Sequence, residues 1–191
     1  MQTVEFAKWL REKVDWSRYV SLVKHVDKEL NARKLRFDKS DLFERSLEVF
    51  SNRELIYVDY EGVDHWGPDG ITVEMKYTDG ALFTRVRKDK KEYVSDLQLM
   101  NTRGSSAGRT LPDTYAQFLL ICDRDAVAVI AKEDLLPYVV DAGDGLKTSK
   151  LPSDLVQYVF TPGEFVAQDI AESVSYKQAK LDMQTDYLQK F

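Results

Sequence analysis

Two apolar runs, residues 115–122 and 126–130, stand on either side of Asp123-Arg124-Asp125, and no other feature constrains the fold of this chain so strongly. Each run has the length of a strand and the polar triplet between them suits a turn, so they predict a hairpin at the centre of a β-sheet. The first fifty residues follow a different period. Phe6, Trp9, Leu10 and Val14 recur at helical spacing, and so do Tyr19, Leu22, Val23, Val26 and Leu30. Ser40 suits the N-cap of a third helix over 41–50, with Leu42, Phe43, Leu47 and Phe50 on one side.

Further along, 55–58 and 71–77 are β-favouring runs separated by the turn signal Gly67-Pro68-Asp69-Gly70. Residues 82–86 predict another strand, followed by a basic run, and the Gly/Ser-rich stretch 101–110 predicts a mobile loop. A helix or turn is expected over 132–138 and a last strand over 155–160. Thr161-Pro162-Gly163-Glu164 resembles a capping box opening a C-terminal helix. The fold class expected is α/β (or α+β): a mixed central sheet flanked by helices. With 191 residues the chain fits one domain, comprising an N-terminal helical segment 1–39, a core 40–165 and a C-terminal helix 166–191.

Composition excludes little. Hydrophobic residues at 43% and charged residues at 31% suit a globular protein, and no apolar run approaches membrane-span length. The first residues read as an amphipathic helix rather than a signal peptide, and Cys122 is alone, which fits a cytoplasmic protein. The net charge of −5 argues against nucleic acid only until its distribution is considered, because Arg85, Arg87, Lys88, Lys90 and Lys91 form a compact basic run.

Chemistry concentrates in Glu61-Gly62-Val63-Asp64, the turn, and Glu74-Met75-Lys76. If the turn is a hairpin centred between Pro68 and Asp69, residue 74 faces 63; one extra residue in the ladder brings Asp64 opposite Glu74 instead. In either register the two carboxylates lie on neighbouring strands within reach of a shared cation, and Glu74 and Lys76, two apart, share a face. Glu61 joins Asp64 on one side only if a β-bulge forms around Gly62. Carboxylates are the usual protein ligands of Mg²⁺, with Mn²⁺ expected to substitute. Such an ion activates water against a phosphodiester, while a neighbouring lysine orients the water or neutralises developing charge. The triplet alone is a weak signal: Asp89-Lys90-Lys91 fits it too, within a polar charge run.

Glu61 and Asp64, nine intervening residues after Asp64, then Glu74-Met75-Lys76, together resemble the active-site segment of PvuII-type restriction endonucleases, within the PD-(D/E)xK nuclease superfamily. Asp41-Leu42-Phe43 and the hairpin with Glu133-Asp134-Leu135 are also similar, so the likeness covers roughly 40–165. The resemblance implies a restriction-endonuclease-like sheet, with Asp64 and Glu74 as metal ligands, Lys76 as catalytic lysine and Glu61 as accessory acid. It implies Mg²⁺, double-stranded DNA as substrate, a homodimer in which 1–39 takes part, and a cognate DNA methyltransferase in the same system. The stretch 95–106 lacks the histidines that such enzymes use to read DNA, so no target sequence carries over.

Asp69 rivals Asp64, since Pro68-Asp69 spells the literal motif, but a turn position points it away from the strand faces. Arg85, Arg87, Lys88, Lys90 and Lys91 suit phosphate contact or a solvated hairpin end. Asn101, Arg103, Ser105, Ser106 and Arg109 carry donors for base edges, or line an ordinary surface loop. His65 turns away from Asp64 if the strand alternates, His25 reads as structural, and Trp9 and Trp16 fit an N-terminal helical core or a dimer surface. Two other functions fit the same residues: a structure-specific repair, recombination or phage nuclease, and a non-catalytic DNA-binding or interaction module on a nuclease-like scaffold.

Overall fold

The computed structural model describes residues 1–33, 40–60, 62–77, 93–94, 98–101, 115–124, 126–141, 145–148, 151–161 and 163–165. Three helices come first: α1 (Thr3–Lys13), α2 (Trp16–Arg33) and α3 (Ser40–Phe50). A six-stranded mixed sheet follows, built from β1 (Ile56–Tyr60), β2 (Val63–Trp66), β3 (Thr72–Tyr77), β6 (Phe118–Cys122), β7 (Val127–Ala131) and β11 (Gln157–Phe160) in that spatial order. All neighbours are antiparallel except β3 and β6, which run parallel. The expected hairpin is β6–β7, and both its strands are interior to the sheet, with β7 next to the edge strand β11.

Smaller pieces complete the described chain. Strands β4 (Tyr93–Val94) and β10 (Leu151–Pro152) pair with each other, while β5 (Gln98–Asn101), β9 (Gly145–Thr148) and β8 (Val139–Asp141) form a three-stranded sheet. The short helix α4 (Lys132–Leu135) and a 3₁₀ turn, Leu136–Tyr138, fill the helix-or-turn segment expected after β7. The strand expected over 82–86 and the helix expected over 166–191 lie outside the described residues. Of the proposed loop over 101–110, only Asn101 is described, at the end of β5.

The two faces of the main sheet differ in their cover. One carries the main core, where Phe6, Leu10, Trp16, Tyr19, Phe43 and Leu47 from the three helices meet Val73, Met75, Phe118, Leu120 and Cys122. The N-terminal helices are therefore part of the same core as the sheet. The reason is visible in the sequence: their apolar residues recur at helical spacing, and the stripe they form must be buried against something. The other face is covered over Leu119, Ile121, Ala128 and Ile130, where Leu135, Tyr138 and Val139 pack. Alternation along β3 and β6 separates the two sets residue by residue.

The β2–β3 turn decides the register of the site. Pro68–Gly70 is a single 3₁₀ turn in which Asp69 (φ 55) and Gly70 (φ 76) both adopt positive φ, and the Gly67 amide donates to the Ile71 carbonyl at 2.7 Å. Aspartate and glycine tolerate that region better than other residues. The turn thus takes up the extra residue, and the ladder pairs His65 with Val73 and Trp66 with Thr72. One step further along this register, Asp64 faces Glu74.

Candidate active site

Asp64 is buried (8% exposed), and its Oδ2 accepts the Met75 amide at 2.6 Å, which binds the carboxylate to the neighbouring strand. Glu74 and Lys76 project from the same face of β3 and form an ion pair. Their partners in the parallel strand are Leu119 and Ile121, so they lie on the face opposite the three helices. The structure brings Asp64, Glu74 and Lys76 together at the strand pair β2–β3. Asp69 is exposed in the turn.

Electrostatics within this group are tightly linked. Burial, and then the charge of Glu74, push the Asp64 carboxyl upward, partly offset by the Met75 amide and by Lys76. Burial also raises Glu74, while the ion pair with Lys76 pulls it back. Burial alone would lower Lys76, but Glu74, Asp64 and Glu44 together outweigh it and hold the ammonium above its ordinary value. With both carboxylates ionised the three groups carry one net negative charge, so a further cation would favour their ionised forms over the protonated ones that burial promotes.

The donor set fits Mg²⁺. Carboxylate oxygens are hard ligands, and Mg²⁺ is commonly held by one or two protein carboxylates, with water and substrate phosphate filling its other positions. Among the described residues no group of three or more His, Cys, Asp or Glu side chains is arranged to hold a metal ion.

Two further acids stand near the site and were not singled out in the sequence. Glu44, on α3, is pushed up to about 8, first by burial and then by Asp64. Its signal was faint: it borders the apolar stripe of a helix that packs on β1 and β3. Asp59, in β1, contributes negative charge that raises both Asp64 and Glu74. Asp59 owes its place to a bulge. The β1–β2 ladder pairs Tyr57 with His65 and Tyr60 with Val63, so Val58 and Asp59 together oppose Asp64, and Asp59 takes φ 45.

This corrects the expected bulge around Gly62. Gly62 (φ 75) instead belongs to the turn between Tyr60 and Val63, and the break in the ladder comes before it. The physical reason is that a tight hairpin turn already takes up the positive φ at Gly62, leaving the ladder to break inside β1. Glu61 lies outside the described residues, as do Arg85, Arg87, Lys88, Lys90, Lys91, Arg103, Ser105, Ser106 and Arg109.

His65 points to the helical face, as alternation requires. It is fully buried, its Nε2 lies 2.7 Å from the Glu44 carbonyl oxygen, and its ring stands edge-on to Tyr57. Burial lowers it to about 4, so it is neutral near pH 7. His65 is thus a fastener between α3 and β2, placed back-to-back with Asp64. A second fastener lies beside it, where the Tyr57 amide donates to Glu48 Oε2 at 3.3 Å.

No family model matches this chain, and no curated protein matches it in sequence. The functional reading therefore rests on the site. Among the described residues no helix is long and apolar enough to cross a membrane.

Proposed function

We propose that the chain is a metal-dependent DNA endonuclease of the restriction type, with a nuclease-like sheet, hydrolysing phosphodiester bonds in double-stranded DNA. The observation that carries this reading is the register of β2 on β3: it sets Asp64 opposite Glu74, with Lys76 on the same face and paired to Glu74. Two carboxylates and an amine at one strand pair suit phosphodiester hydrolysis better than they suit a merely solvated face, since Asp64 and Glu74 are mostly buried.

In this reading Asp64 and Glu74 would hold Mg²⁺ or Mn²⁺, which would supply Lewis acidity toward the phosphate and toward an attacking water. Lys76 orients that water and neutralises charge building on the phosphate oxygens. Water adds at phosphorus, one P–O bond breaks, and the strand is left with a phosphate end and a hydroxyl end. The Met75 amide fixes the Asp64 carboxylate, so little reorganisation is needed when the substrate binds. Cleavage of both strands calls for a second copy of the site, hence a homodimer, and a restriction role calls for a companion DNA methyltransferase protecting the host.

Digestion of phage DNA with Mg²⁺, with and without EDTA, tests the reading. A discrete fragment pattern that EDTA abolishes is expected, and Lys76→Ala should cut about 10²- to 10³-fold more slowly. Branch-dependent cutting would move the assignment to a structure-specific nuclease. Intact DNA under every metal condition would end it.

A further inference from the structure

Trp66 is 52% exposed, and its cross-strand partner Ile56 is 45% exposed. Large apolar side chains standing side by side in solvent on the outer strands of a sheet are the kind of exposure that calls for an explanation. Their face is fixed by alternation. His65 and its partner Tyr57 point toward α3, so Trp66 and Ile56 point the other way, to the face of Asp64 and Glu74. Trp66 lies two residues from Asp64 along β2, roughly 6.6 Å at the usual strand rise.

We propose that Trp66 is a stacking platform for a nucleobase flanking the phosphate engaged by Asp64 and Glu74, so that the substrate strand presents an unstacked base beside the cut. This rests on the phosphodiesterase reading above. A base flanking a phosphate held at the carboxylates would lie within about one nucleotide of it, a span comparable with the ~6.6 Å strand offset of Trp66 from Asp64. Ile56 is the cross-strand partner of Trp66, and side chains so paired lie within contact reach of each other. Base stacking on such a surface needs no matched donors, so it suits any base and adds affinity without reading sequence.

Size separates this occupant from a second protein chain. An aromatic residue offers about 150–250 Å², and one aliphatic partner does not bring that near the roughly 800 Å² per side of a stable protein interface. One face of one base is the right scale.

The test uses the full-length chain and a cleavage site mapped on phage DNA by end sequencing. Oligonucleotide duplexes of that site carry 2-aminopurine on either side of the cut, and binding is read on the Lys76→Ala protein so that the substrate stays whole. Trp66→Val keeps an apolar, strand-favouring partner for Ile56 and removes the stacking surface, whereas Trp66→Phe keeps both. Thermal melts confirm that each variant is folded, and Trp66→Thr, which also favours a strand and lacks a ring, carries the test if Trp66→Val is not.

Expected are quenching of 2-aminopurine with Trp66 and with Trp66→Phe, and its loss with Trp66→Val. With Lys76 intact, kcat/KM for Trp66→Val should fall about 5- to 150-fold, with Trp66→Phe closer to wild type. Equal quenching and equal kcat/KM across the three would overturn the inference and leave the nuclease reading standing. Unchanged quenching, with Trp66→Val turning a dimer into a monomer by sedimentation, would assign the patch to a second copy and overturn it as well. A wild-type chain that leaves all DNA intact would remove the nuclease reading, and this inference with it.

Discussion

The two faces of the main sheet put adjacent residues to opposite uses. On the helical face, His65 is buried, neutral and bound to α3 through the Glu44 carbonyl. On the other face, its neighbour Asp64 lies beside Glu74 and Lys76, where burial and then the charge of Glu74 raise its carboxyl. One face gains stability from close packing, while the other holds ionisable groups in a desolvated place that folding alone does not favour. The difference teaches where to look for chemistry: at the face whose groups are arranged at a cost to stability.

The largest effect expected is on the helical face. Phe43 is fully buried, with its ring 4.6 Å from that of Tyr77 and 6.0 Å from that of Tyr19. Phe43→Ala should lower stability by about 3–5 kcal/mol, the range for deleting a buried phenyl. Urea unfolding measures it, and a loss below about 1 kcal/mol would mean that α3 is not held by this contact.

The next effect sets the faces against each other through pH. Folding lowers His65 from its ordinary 6.5 to about 4, so between those values the unfolded chain binds a proton that the folded chain does not. The stability contributed by neutral His65 is complete above pH 6.5 and erodes toward pH 4, by about 3 kcal/mol. The raised carboxylates Asp64 and Glu44 have the opposite sign: the folded chain takes up protons first, and acidification stabilises it. Wild type should therefore show a shallow pH dependence, and His65→Gln should gain on it by about 3 kcal/mol as pH falls from 6.5 to 4. Parallel curves for the two proteins would show that His65 is not held neutral.

Smaller still is the release of charge from the site. Asp64→Asn keeps the shape and removes one of two repelling carboxylates, so the metal-free protein should gain about 1 kcal/mol while cleavage is lost. Opposite movement of Tm and activity is the signature. A lower Tm would identify Asp64 as a structural anchor through its Met75 contact.

How much of this was legible in the sequence follows the same division. The helical face was plain, because its apolar residues repeat at 3.6 and its partner strands are apolar runs. The pairing of β2 with β3 was legible as two alternatives, and the geometry of Asp69 and Gly70 in the turn chose between them. Asp59 was not legible, because no residue pattern forecasts which position of β1 adopts a left-handed backbone. Glu44 was hidden for another reason. Its proximity to Asp64 depends on how α3 crosses the sheet, which is a tertiary matter that periodicity does not encode. Trp66 was not singled out, because its meaning lies in its exposure, which the sequence does not show.

The smallest effect lies at the rim of the helical face. Arg11 on α1 donates to the Val159 carbonyl at 2.8 Å and pairs with Glu164, which also accepts the Thr161 amide at 3.0 Å. The pair with Arg11, then the Thr161 amide, hold Glu164 down at about 2. Its contribution is complete above the ordinary carboxylate range near 4.5 and is lost as pH falls through about 2. Both groups are partly exposed, 46% and 32%, so solvent screens the pair and reduces it to about 0.5 kcal/mol. Glu164→Gln should therefore destabilise by that amount at pH 7 and by nothing measurable at pH 2, with added salt narrowing the gap at pH 7. A loss at pH 7 several times larger would show that this pair, rather than apolar packing between the two elements, fastens α1 to the end of β11.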